Sequence, residues 1–283
     1  MKTKIKDDFC FNRKVKVKND IFNIYYVKAL KDKNSKKCLF FVPGLNGNGV
    51  TINYWNYPKI INNWNIFSVD MRAQGNDTNK PSRYFKTYLN DLYEIIKFIR
   101  EEFQMEEIIL LGESWGGALC NLYAKFYHDV NGYMTWNIPY EIIDVSNEKK
   151  KDKFLKNIKM ILTFLTNINT YDNGGFVEKL TNNPILIKIV KFLARKKVSN
   201  RVIIAAWLSF KKSWRFILKN HKKINFKYIQ SNDDIMKSNN VVEKLKKESD
   251  KVIIFNKGTH ILTFDKFQQD KLFDEIYNFI SNK

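Results

Sequence analysis

The stretch from Ile108 to Cys120, I-I-L-L-G-E-S-W-G-G-A-L-C, constrains this 283-residue chain more than any other. Its first four residues, Ile108 to Leu111, are all branched and apolar, the pattern of a strand buried on both faces. Three glycines, Gly112, Gly116 and Gly117, then break the run around Ser114. Beyond them Leu119, Leu122, Tyr123 and Phe126 recur at three- and four-residue spacing, which predicts a helix. A strand covered on both faces requires helices on either side, so this segment implies a largely parallel sheet in an α/β architecture. In G-x-S-x-G between a strand and a helix, the tight turn lifts the serine hydroxyl above the sheet. The small residues let backbones approach without a Cβ between them. The N-terminus of the following helix favours negative charge developing near the serine. This setting selects Ser114 as a candidate nucleophile over an ordinary glycine turn.

The rest of the chain fits that architecture. Residues 15–30 alternate as a hairpin turning at Asn19-Asp20, and residues 37–42 read as a buried strand ending in the loop Pro43-Gly44-Leu45-Asn46-Gly47. A helix is expected to follow from about Thr51 to Asn62. Residues 65–70 form a further predicted strand and 84–103 a helix, with Leu89, Leu92, Ile95, Ile96 and Ile99 along one face. Residues 133–138 are a short strand closed by Pro139. After a long interruption the alternation resumes with strands at 226–230 and 251–256 and helices at 239–248 and about 266–280. Ligands of such sheets sit beyond the carboxyl ends of the strands, so the loops after these strands are expected to converge on one crevice.

The interruption predicts helices at 153–165, 184–194 and 200–218. The expected organisation is therefore one core split into residues 1–140 and 223–283, with an all-helical cap, 141–222, inserted over the crevice. At 44% apolar and 15% aromatic, the chain can bury a substantial core. Its net charge of +20 is uneven: residues 145–225 hold 19 Lys and Arg against 4 Asp and Glu. Cys10, Cys38 and Cys120 are odd in number and widely spaced, which points to free thiols, and no metal-ligand spacing appears. The N-terminal residues are charged, and no run of 18 apolar residues occurs, so neither a secretory signal nor a spanning helix is expected and a reduced cytoplasm is the expected location.

A serine nucleophile needs a base, and the base an orienting acid. Of the three histidines, His128 ends the helix after Ser114 and reads as structural, while His221 lies in a lysine-rich stretch and reads as a surface residue. His260, in Lys257-Gly258-Thr259-His260, follows a strand as the base requires. The loop Ser231-Asn232-Asp233-Asp234 offers the acid. Asp233 is assigned, with Asp234 competing for the same role. The backbone N–H groups of Leu45 and Trp115 are the expected oxyanion donors, and Gly44, Asn46 and Trp207 the expected substrate contacts.

With these residues in hand, the chain resembles an α/β-hydrolase of the serine-aminopeptidase-like group that includes monoacylglycerol lipases and lysophospholipases. Gly44-Leu45 is similar to the family's oxyanion loop, and Asp70-Met71-Arg72-Ala73-Gln74-Gly75 to its Asp-aliphatic-Arg-Gly-His-Gly turn. Gly112-Glu113-Ser114-Trp115-Gly116-Gly117 resembles the elbow, Asn232-Asp233-Asp234 the acid loop and Gly258-Thr259-His260 the histidine loop. Leu180-Thr181-Asn182-Asn183-Pro184 is similar to a stretch of the lysophospholipase branch. The chain departs from the pattern at Pro43, where the family usually has histidine, and at Ala73 and Gln74, in place of Gly and His. Gln230 stands where a glycine usually precedes the acid by three residues.

The resemblance implies a serine hydrolase acting on carboxylic esters, with a lysophospholipase- or monoacylglycerol-lipase-like substrate and no cofactor. An aminopeptidase of the same scaffold would need acidic groups in the cap to hold an α-amine, and residues 145–225 have only four acidic residues. From another class, a non-catalytic relative would use the basic cap to hold a membrane or nucleic acid. No nucleic-acid motif accompanies the charge. Residues 201–218 place Ile204, Trp207, Leu208, Trp214 and Phe216 beside Lys211, Lys212 and Arg215, a combination suited to peripheral contact with an anionic membrane.

Overall fold

A computed structural model describes residues 10–55, 57–139, 198–234, 239–265 and 268–282. Eight strands form one sheet in the order β1-β2-β4-β3-β5-β6-β7-β8. They are β1 (Cys10–Val17), β2 (Asp20–Val27), β3 (Lys37–Val42), β4 (Asn65–Val69), β5 (Glu107–Glu113), β6 (Gly132–Trp136), β7 (Phe226–Ser231) and β8 (Val252–Phe255). The β1–β2 hairpin and the β2–β4 pairing are antiparallel, and every pairing from β4 to β8 is parallel. The hairpin turns at Lys18-Asn19, with Lys18 at a φ of 55°.

The central strands are buried on both faces, and their successive side chains alternate between two cores because each face has its own helical layer. Phe40 of β3 and Leu110 of β5 join one core with α2 (Phe85–Glu102) and α3 (Trp115–Phe126), to which Leu92, Ile95 and Leu119 belong. Leu39, Phe41, Ile109 and Leu111 point the other way. They join α1 (Pro58–Ile61) and α6 (Gln269–Ser281) through Ile60, Leu272 and Ile276. Burying each such side chain contributes about 1.5–3 kcal/mol, so the two layers fix the sheet from both sides. The helix expected across 51–62 is instead a 3-10 turn (Gly49–Tyr54) followed by the single turn of α1. Pro58 explains the break, since it starts a helix well but pushes the residue before it out of helical geometry.

Of the expected cap, the predicted helices at 153–165 and 184–194 lie outside the described residues. Its last helix, α4 (Asn200–Asn220), lies inside them and belongs to the helical layer of the core. Ala205, Ala206, Ser209 and Ser213 are buried, and such small residues let a helix approach its neighbour closely. Trp115 Nε1 donates to Ser209 Oγ at 3.0 Å, and Asn121 Nδ2 to Ser213 Oγ at 3.1 Å, stitching α4 to α3. Trp214 Nε1 donates to the Pro139 carbonyl, and its ring packs edge-on against Tyr228 at 5.0 Å. The remaining helix, α5 (Asn239–Glu248), connects β7 to β8.

Candidate active site

Ser114 sits between β5 and α3 with φ 54° and ψ −118°. A non-glycine residue held there costs on the order of 1–3 kcal/mol and persists only where its surroundings over-determine it. The surroundings do so. Its N–H donates to the Trp136 carbonyl at 2.9 Å, and its own carbonyl accepts from the Ala118 N–H. A Cβ on Gly116 would lie 2.0 Å from the Val42 carbonyl oxygen, so only glycine lets α3 start this close to β3. The elbow is therefore wedged against the end of the neighbouring strand.

His260 reaches Ser114 from the loop after β8. Its Nε2 lies 2.7 Å from Ser114 Oγ, and its Nδ1 lies 2.9 Å from Asp234 Oδ1. The carboxylate fixes the tautomer: Nδ1 carries the proton and donates to Asp234, so Nε2 accepts from the serine hydroxyl. All three residues are buried, Ser114 at 7% exposure, His260 at 5% and Asp234 at 2%. Burial pulls the imidazole downward, but the charge and hydrogen bond of Asp234, with the charge of Glu113 behind them, more than offset it. The imidazolium is thereby held above the ordinary histidine value of 6.5.

The acid assignment made from the sequence is corrected by one residue. Asp233 is exposed and accepts from the Gly258 N–H at 3.3 Å, while Asp234 turns inward to His260. Counted from Ser231, the small residue that closes β7, the three-residue interval leads to Asp234. Counting from Gln230 led to Asp233. The other histidines divide differently: His128 is exposed, but His221, expected at the surface, is buried at the end of α4 with Nδ1 3.3 Å from the Ile217 carbonyl.

The loop after β3 lies beside the serine. A Cβ on Gly44 would meet Ser114 Cβ at 3.2 Å and Oγ at 3.9 Å, so glycine here leaves space over the hydroxyl. Gly47 N–H closes the turn onto the Gly44 carbonyl at 2.9 Å, which sets Leu45 and Asn46 at its tip. Trp115 is the first residue of α3, where a backbone N–H has no helical acceptor. Asn46, at φ 61°, donates its N–H to Gln74 Oε1 at 2.6 Å. Gln74 thus braces the loop from the turn after β4, a role the sequence did not assign it. That turn hangs on Asp70, which accepts from Gly49 N–H, Asn76 N–H and the Tyr25 hydroxyl at 2.8–2.9 Å. Arg72 clamps its base through two 2.7 Å bonds to Asp91.

Trp207 is not brought to the crevice. It is 46% exposed on α4, about 200° around the helix from Ser209, which holds Trp115. It faces solvent for that reason. Glu113, between Gly112 and Ser114, is a buried carboxyl that the sequence reading left without a role. It accepts from Trp136 Nε1 at 2.8 Å and from Thr263 Oγ1 at 3.3 Å. Burial pushes its carboxyl upward, while Trp136, the charge of His260 and Thr263 pull it back. Among the described residues, no group of three His, Cys, Asp or Glu side chains is disposed to hold a metal ion, and no helix is long and apolar enough to cross a membrane.

A sequence model of the alpha/beta hydrolase fold family matches residues 37–148, from β3 through the elbow and β6. The chain has the α/β-hydrolase fold. Solved structures agree over nearly its whole length. A soluble variant of monoglyceride lipase from Saccharomyces cerevisiae, in complex with a substrate analog, superposes with a TM-score of 0.66 at 14% identity, covering 99% of this chain and 97% of that one. A lipase-esterase related protein from Clostridium acetobutylicum has a TM-score of 0.60 at 20% identity over 90% and 99% of the two chains. An epoxide hydrolase from Vigna radiata has a TM-score of 0.65 at 13% identity over 98% and 99%. No curated protein sequence matches the chain. These likenesses establish the fold, and the chemistry rests on the site.

Proposed function

We propose that this α/β-hydrolase cleaves carboxylic esters, most readily those of a lipid carrying one acyl chain, with Ser114 as nucleophile, His260 as base and Asp234 as the orienting acid. One observation carries the reading: Ser114 Oγ, held on a strained turn, lies 2.7 Å from His260 Nε2 while Nδ1 is engaged by a buried carboxylate. In this arrangement Oγ attacks the ester carbonyl carbon as its proton passes to Nε2. The oxyanion accepts hydrogen bonds from the N–H groups of Leu45 and Trp115, aided by the α3 N-terminus. Collapse expels the alcohol with the proton from His260 and leaves an acyl-serine. A water then attacks, giving its proton to Nε2, and as the Oγ–acyl bond breaks that proton returns to Ser114 Oγ and the carboxylic acid departs.

The lipid part of the reading rests on α4. Ile204, Trp207 and Leu208 are exposed on its outer face, in sequence with exposed Lys211, Lys212 and Arg215, and the helix contains no acidic residue. An apolar patch continued by cations is suited to peripheral contact with an anionic bilayer, each cation near the surface adding about 1 kcal/mol. Structural neighbours described as lipases are consistent with this substrate class. The test is an acyl-ester panel of increasing chain length, presented in solution and in vesicles with and without anionic lipid. The expected result is turnover that favours monoacyl substrates in anionic vesicles and is abolished in Ser114→Ala. Turnover that survives Ser114→Ala would sink the enzymatic reading. Equal rates in neutral and anionic vesicles would sink the surface reading.

A further inference from the structure

Behind Asp234 lies a buried polar chain that the reaction as described does not use. It begins where β6 ends. The Ile138 N–H donates to the Tyr228 hydroxyl at 3.2 Å, and that hydroxyl donates to Gln230 Oε1 at 2.6 Å. The amide nitrogen of Gln230 lies 3.2 Å from Asp234 Oδ2 and 3.1 Å from Asn137 Oδ1. Tyr228, Gln230 and Asn137 are all buried.

The direction of every bond in this chain is determined. Asn137 Oδ1 accepts from the Ser231 N–H at 2.9 Å, so it faces Gln230 as an acceptor. Its amide nitrogen donates to the His260 carbonyl at 2.9 Å and the Thr259 carbonyl at 3.0 Å. With a hydroxyl donor on one side and only acceptors on the other, Asp234 Oδ2, Asn137 Oδ1 and the Ser231 carbonyl at 3.2 Å, Gln230 has one amide orientation that fits, its two N–H groups shared among the three. The reversed amide would aim its oxygen at the Asp234 carboxylate. Asn137 makes these contacts at a φ of 49°, a positive value that asparagine adopts more readily than most residues.

We infer that Gln230 is a positioning residue for the acid–base pair, donating a hydrogen bond to Asp234 Oδ2 while Oδ1 engages His260, and so helping to fix the carboxylate that orients the imidazole. The inference rests on the ester-hydrolase reading for its kinetic consequence, though not for its structural one. Gln230 tempers the carboxylate as well as holding it. Without that donor the Asp234 charge acts more fully on His260, which holds the imidazolium more tightly. Other groups face the pair: Glu113 from the end of β5, whose charge also acts on His260, Tyr228 from β7, and Ser114 from the elbow. Asp233 and Asp265 engage the His260 loop through the N–H groups of Gly258 and Thr259.

The chain has only three histidines, His128, His221 and His260, so nitrogen-labelled imidazole signals can be followed by NMR titration in the full-length protein. Gln230→Met, close in shape, is expected to move the His260 titration to higher pH and alter its Nδ1–H resonance, with His128 and His221 unchanged. It should also lower kcat about tenfold with KM within about twofold, as expected for a lost bond to a charged group. Tyr228→Phe, which releases the amide from its orienting hydroxyl and takes that acceptor from the Ile138 N–H but leaves the Gln230 donor in place, should produce a smaller displacement in the same direction. A Gln230→Met protein whose other histidines are unperturbed, and whose His260 titration and kcat equal the wild type's, overturns the inference. A wild type that turns over no ester, yet shows the His260 displacement in Gln230→Met, overturns the ester reading and supports the positioning role.

Discussion

The two sides of the crevice are built on different terms. On one side, the ends of β5, β7 and β8 carry Ser114, Asp234 and His260, side chains whose identity is set by chemistry: a hydroxyl, a carboxylate and an imidazole in line. On the other, the ends of β3 and β4 carry the Gly44–Asn46 loop and the turn that braces it. There the proposed contribution is one backbone N–H, that of Leu45, and the side chains around it hold the loop. Gln74 accepts the Asn46 N–H where the resembled family uses a different residue, and Asp70 gathers three donors beneath it. A bracing position requires only an acceptor at the right distance, so it tolerates exchange. A reacting position does not. The departures at Pro43, Ala73 and Gln74 fall on the braced side; the one at Gln230 falls on β7 behind Asp234, where it too is a holding residue, and the proposed reacting groups Ser114, Asp234 and His260 are themselves present.

Three substitutions test this asymmetry in order of severity. Asp234→Asn should cost on the order of a thousandfold in kcat/KM, because an amide favours the wrong imidazole tautomer. Gln74→Leu removes the acceptor for Asn46 N–H and loosens the loop without removing a donor to the oxyanion. A loss of about tenfold in kcat with KM little changed is expected, below that for deleting an oxyanion donor. Asp233→Asn, at an exposed carboxylate that accepts one N–H from Gly258, should stay within about twofold. Steady-state kinetics on one short-chain ester separates the three. A larger loss from Asp233→Asn than from Asp234→Asn would reverse the acid assignment, and a loss from Gln74→Leu as large as that from Asp234→Asn would erase the distinction between reacting and bracing residues.

The same distinction explains what the sequence made legible. The strand run Ile108–Leu111, the glycines around Ser114 and the helical period after them revealed the elbow, and the alternation on either side revealed the sheet. Ser114 and His260 were singled out because each follows a strand in a glycine-containing loop, and the fold brings the two within hydrogen-bond distance. Asp233 was chosen over Asp234 because adjacent carboxylates are equivalent in composition, and only the direction in which the chain leaves β7 separates them. Helix α4 was assigned to the cap because its apolar period does not say what it packs against. The hydrogen bonds from Trp115 and Asn121 to Ser209 and Ser213, more than ninety residues away, decide that. Trp207 was drawn toward the crevice by its bulk, yet its position opposite Ser209 sends it to solvent. Gln74, Gln230 and Glu113 carry no periodic or spacing signal. Their roles arise from tertiary contacts alone.

The account stands most directly on the reactivity of Ser114. A fluorophosphonate probe should label the intact protein at one site, located by peptide mass spectrometry to Ser114. Its labelling rate should rise with pH through a midpoint above the ordinary histidine value of 6.5, since Asp234 and Glu113 outweigh the downward pull of burial on His260 and the neutral imidazole must form before it can accept the serine proton. The His260→Ala protein should lose that labelling. No adduct at Ser114, or labelling equally fast without His260, would contradict the account.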